Sequence, residues 1–190
     1  MEFIPTSSQT IGPYFHVYFK AEGMVACIAG PQAKGERVRL ACRVLDGEGA
    51  PVADALLELW QADAAGIYNH PDDPRRPQAD PAVRGFGRLP TNADGICEFE
   101  TVKPGRVPGW DGTFQAPHIN VTVFGRGLLK ALSTRIYFAN DPANQNDPVL
   151  ALVPEDRRDT LLAQRDSQQP GLWRIDLRLS GDGETVFFDV

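Results

Sequence analysis

Proline and glycine recur so closely along this chain that a long helix has almost nowhere to form: 16 prolines and 18 glycines are scattered through 190 residues. Proline fixes φ and removes a backbone donor, and glycine weakens regular elements, so each tends to punctuate the chain. Between these breaks lie short runs of β-branched, aromatic and aliphatic residues at 37–45, 55–61, 96–102, 119–124, 133–138, 173–179 and 185–190. Many short strands separated by turn residues predict a mainly β chain, closed as a sandwich or a barrel.

Two turns can be assigned by their chemistry. Asp46-Gly47-Glu48-Gly49 and Asn92-Ala93-Asp94-Gly95 supply the positive-φ positions that tight turns need, and each leads into residues suited to a strand. One short helix is predicted over 155–165, where Pro154, Glu155 and Asp156 suit a helix start and Leu161 and Leu162 give an apolar patch. It would sit at the periphery of the β core. The stretch 69–77, Asn-His-Pro-Asp-Asp-Pro-Arg-Arg-Pro, is too polar and proline-rich for either element and is predicted to be a surface loop.

A chain of this length, 42% hydrophobic, can bury one substantial core and is short for two. A single domain over 1–190 is therefore expected. The net charge of −6 opposes binding to nucleic acid, which requires clustered cations. The first eight residues have neither a basic nor an apolar leader region, and no run approaches the ~18 apolar residues of a membrane span. A soluble cytoplasmic protein is the expectation. Cys27, Cys42 and Cys97 are odd in number and lack Cys-x-x-Cys spacing, so neither a disulfide framework nor a cysteine metal site is expected.

The run Leu57-Glu58-Leu59-Trp60-Gln61-Ala62, followed by Gly66-Ile67-Tyr68, resembles a signature of the intradiol ring-cleaving dioxygenases. A second block, Val102-Lys103-Pro104-Gly105 through Ala116-Pro117-His118-Ile119-Asn120-Val121-Thr122-Val123-Phe124-Gly125, is similar to another, in the right order. Ser8 to Tyr14 and Gly183 to Asp189 extend the resemblance over nearly the whole chain. It implies an intradiol-dioxygenase-like β-sandwich with Greek-key character.

In the family's catalytic chains two tyrosinates and two histidines hold a ferric ion, anionic oxygen donors suiting a hard trivalent metal. Tyr68 matches the first tyrosine and His118 the first histidine, whereas Val107 stands at the second tyrosine and Asn120 at the second histidine. Valine has no donor atom and an amide is a poor one, so no metal ligand set is expected in this chain. The resemblance then points to the non-metal α-type chain of a two-chain enzyme of aromatic catabolism, in the β-ketoadipate pathway. Its β subunit would carry Fe(III) and, with O2, open protocatechuate (3,4-dihydroxybenzoate) to 3-carboxy-cis,cis-muconate.

By the same resemblance, α–β units assemble into higher oligomers, with an N-terminal extended segment, 1–36, packing on the partner. Gly12, Pro13, Tyr14 and Arg126 are expected to wall the substrate pocket of the β chain's iron. No residue of this chain is expected to be catalytic itself. A planar guanidinium offers the parallel donors that a carboxylate accepts, so Arg126 suits a carboxylated catechol. Strand alternation from His118 would put Arg126 on the same face, at the edge of the degenerate pocket, if the strand stays regular. Two rival readings differ in class. One is a self-sufficient iron dioxygenase that recruits His16 or His70, and the other is a non-enzymatic β-sandwich binding module.

Overall fold

The computed structural model describes Gly12 and residues 24–189. Ten strands are formed among them: β1 (Arg37–Leu45), β2 (Leu56–Trp60), β3 (Phe86–Pro90), β4 (Ile96–Val102), β5 (Val107–Pro108), β6 (Phe114–Gln115), β7 (His118–Phe124), β8 (Leu132–Phe138), β9 (Leu162–Arg165) and β10 (Leu172–Arg178). Eight lie in the order β3-β2-β7-β8-β9-β10-β1-β4, and β5 and β6 make a separate hairpin. β9 pairs parallel with β8 and antiparallel with β10, which joins two four-stranded halves. β1 and β10 also run parallel, so their connection crosses over rather than turning back as a hairpin. The non-sequential neighbours give the sandwich its Greek-key character.

The two halves close on one core because their strands alternate. In β7, Ile119, Val121 and Val123 point inward, and in β10 Trp173, Ile175 and Leu177 do the same. Phe138 meets Trp173 edge-on across the sandwich, with ring centroids 5.1 Å apart at 88°. Each fully buried Leu, Ile or Phe contributes roughly 1.5–3 kcal/mol by leaving water. Gly87 lets the segment before β1 approach the sheet: a Cβ there would lie 2.7 Å from Ile28, whose amide donates to the Glu100 carbonyl of β4. Part of the 1–36 segment therefore packs on this chain, with Ile28 in its core.

Both assigned turns form, with Gly49 at φ +85° and Gly95 at φ +72°. Three expectations change. The helix over 155–165 is a 3₁₀ segment that ends at Leu161, and 162–165 is β9, because strand partners on both sides outweigh the helical tendency of Leu162 and Ala163. Of the run 185–190, the described residues 185–189 form only an isolated bridge, Phe188 to Ser133. β3 had no β-like signature, since Gly87 and Pro90 disguise it, and Pro90 is tolerated because β3 is an edge strand. Among the described residues no helix is long and apolar enough to cross a membrane. All three cysteines are free, Cys42 and Cys97 facing each other in the core.

Candidate functional site

The turn after β2 is built around Asp63, which is 3% exposed. Its carboxylate accepts from the amides of Ala65 and Ile67, both at 2.9 Å, and of Asp80 at 2.8 Å. Gly66 closes the turn at φ +76°, where a Cβ would stand 1.9 Å from the Arg106 carbonyl oxygen. The result is a fixed presentation of Tyr68, whose ring stacks on Trp60 at 5.9 Å and 10°. The Tyr68 amide donates to Asp73, and Arg75 donates both to Asp73 and to the Gly66 carbonyl. That guanidinium holds the Asp73 carboxyl at about 2, below the usual carboxylate range. The polar loop 69–77 is thereby tied back to the Tyr68 turn.

β7 and β8 lie beside the Tyr68 turn, where Asn120 is hydrogen-bonded to Tyr68. Their register sets His118 against Tyr137 and Asn120 against Arg135, so all four share the face turned away from the main core. His118 is 3% exposed and its Nδ1 lies 2.7 Å from the Ala116 carbonyl, to which it donates. Burial, with the Arg135 charge adding to it, pushes the imidazole down to about 4. Tyr137 donates to Asp147 at 3.0 Å, and burial holds its hydroxyl well above the ordinary range. Burial also raises Tyr68, opposed by the Arg135 charge and by a hydrogen bond with Asn120. Val107 is buried in β5 opposite Gln115, whose Oε1 accepts from Arg135 at 2.6 Å. Trp60, Tyr68, His70, Arg75, Val107 and Pro108 line a cleft of about 550 Å³.

Of the four positions that hold iron in the family's catalytic chains, Tyr68 and Val107 line this cleft, Asn120 is hydrogen-bonded to Tyr68, and His118 is buried on the same face of β7 as Asn120. Their chemistry does not fit a ferric ion. Tyr68 is a phenol raised by burial, Asn120 spends its amide on that phenol, Val107 has no donor, and a guanidinium stands beside them. Among the described residues no three His, Cys, Asp or Glu side chains cluster as a metal site. His70 lines the cleft, but its Nδ1 accepts from the Asp72 amide at 3.2 Å, which ties the ring to its own loop. His16 lies outside the described residues, as do Pro13 and Tyr14; Gly12 is exposed, with nothing close to its Cβ position.

Arg126 does not border this cleft. β7 ends at Phe124, and Arg126 follows in a turn closed by a Leu128 N–H to Gly125 carbonyl bond of 3.3 Å, with Gly127 at φ +86°. The flanking glycines break the alternation that would have carried Arg126 along the His118 face. Seven residues of strand put the two ends of β7 roughly 20 Å apart. The Arg126 side chain is 70% exposed, 3.6 Å from Asp54.

Sequence reasoning passed over Arg135 and Asp147. A cation in the strand 133–138, on the opposite face from Ile136 and Phe138, was the available signal for the first. Asp147 had none: it is fully buried and accepts from Ala116, Val149 and Leu150 amides and from Tyr137, joining parts of the chain that sequence does not bring together.

A family profile described as dioxygenase matches residues 11–181. The chain is 45% identical over 198 residues to a protocatechuate 3,4-dioxygenase alpha chain of Burkholderia cepacia, covering 97% of each. It is 36% identical over 160 residues to the protocatechuate 3,4-dioxygenase beta chain of the same species, covering 83% of this chain and 66% of that one. Among solved structures it resembles the dioxygenase domain of a dioxygenase carbohydrate-binding protein fusion from Streptomyces sp. SirexAA-E. The TM-score is 0.63 and the identity 27%, over 94% of this chain and 99% of that one.

Proposed function

Because this chain belongs to the intradiol dioxygenase family, we propose that it is the non-metal α subunit of a protocatechuate 3,4-dioxygenase. It completes the active site of an iron-bearing β subunit that, with O2, opens protocatechuate to 3-carboxy-cis,cis-muconate in aromatic catabolism. The observation that carries this reading is the donor set: a chain that keeps the family's fold has Val107 and Asn120 at two of the four ligand positions. Fe(III) then belongs to the β subunit and the ring-opening chemistry to that site.

What this chain adds is binding and shape. Arg126 is exposed and sits at the far end of β7 from its own cleft, so a carboxylate that it holds belongs to another site. Its fork of donors matches the substituent that distinguishes protocatechuate from catechol. Gly12, Pro13 and Tyr14 wall the same pocket, and proline makes that wall stiff. The N-terminal part of 1–36 packs on the partner, and α–β units assemble further under closed symmetry in the cytoplasm.

Iron analysis and activity of the chain purified alone, against the chain co-expressed with a β chain, test the reading. Iron and ring cleavage only in the mixture support it. One iron per chain in isolation points to a self-sufficient enzyme, and neither property in the mixture points to a binding module.

A further inference from the structure

Arginine is seldom buried unless its neighbours accept its donors. Arg135 is half-buried, directly across the ladder from Asn120 and next to the His118–Tyr137 pair. It donates to Gln115, which faces Val107 in the β5–β6 hairpin, and is hydrogen-bonded to Tyr137. Through these contacts it reaches the two positions where ligand types are missing, one across the strand and one through Gln115. Its field also falls on Tyr68 and His118, where those types remain.

The Arg135 guanidinium is a planar group of five donors and can cross-link several acceptors at once, as a metal cross-links its ligands. We propose that Arg135 is a resident cation of the degenerate ligand set, taking over the cross-linking of a metal, so that this chain excludes iron by occupancy as well as by its missing donors. The proposal rests on reading the cleft as a degenerate iron site. Restoring the two donors is then insufficient while Arg135 stays.

The test uses the αβ complex, with substitutions in this chain only and iron per αβ pair measured by elemental analysis, alongside the visible tyrosinate-to-iron absorbance. Val107→Tyr with Asn120→His is expected to leave iron at the wild-type level. Adding Arg135→Gln is expected to raise uptake at the new site roughly 10-fold or more, toward one additional iron per pair. A second iron bound while Arg135 is present overturns the proposal, and so does a folded triple variant no better than the double. A wild-type complex without iron would instead refute the iron-bearing partner, while the difference between double and triple variants still judges Arg135. If the triple variant does not fold, Arg135→Ala alone decides: methylguanidinium should raise its melting temperature and leave the wild type unmoved, and absence of that rescue overturns the proposal.

Discussion

Replacing Arg126 with alanine in the αβ complex should impair a site whose metal lies in the other subunit. The side chain is 70% exposed and pairs with the Asp54 carboxylate 3.6 Å away. Such a surface pair contributes about 0–1 kcal/mol, so the variant should fold and melt close to the wild type. A hydrogen bond to a charged group contributes roughly 1.5–3 kcal/mol, which corresponds to a loss of about 10-fold to 150-fold in kcat/KM for protocatechuate. Unsubstituted catechol has no carboxylate and should lose much less. If the guanidinium binds the ground state and the transition state equally, KM rises and kcat holds; if it orients the ring for attack, kcat falls as well. Oxygen uptake with both substrates, at equal iron content, measures the difference. An equal loss for the two substrates, or dissociation of the complex, would refute the reasoning and make Arg126 an interface residue.

His118 makes stability depend on pH. Its imidazole sits near 4 in the folded chain and near 6.5 when unfolded, so the unfolded chain takes up the proton first as pH falls. Its contribution, about 3 kcal/mol, is complete above pH 6.5 and is lost between 6.5 and 4. Urea titrations across that range should show the loss, and His118→Asn should flatten it; matching profiles would contradict the assignment. Asp147→Ala should destabilise the fold by on the order of 4 kcal/mol, because three buried amides and the Tyr137 hydroxyl lose their acceptor. A loss under about 1 kcal/mol in chemical denaturation would mean that water takes its place.

Where local chemistry decides, the sequence could be read to the residue. β1 and β4 begin and end where their alternation and flanking turns put them, at Arg37–Leu45 and Ile96–Val102. β9 was hidden because its pairing partners, Tyr137 and Trp173, lie elsewhere in the chain and their influence exceeds that of local propensity. The four ligand positions were legible as residue types, since a missing donor is visible without coordinates. The course of the chain past Phe124 was not, because two glycines permit either a continued strand or a turn. Nor was the link from Arg135 through Gln115 to Val107, which exists only once β5 and β6 pair.

The most direct measurement of the central claim is anomalous scattering at the iron edge from crystals of the αβ complex with protocatechuate bound. The account predicts iron in the β subunit alone, no iron peak between Tyr68 and His118 of this chain, and the Arg126 guanidinium within hydrogen-bonding distance of the substrate carboxylate. An iron peak at the Tyr68–His118 cleft, or Arg126 turned away from the substrate, would contradict it.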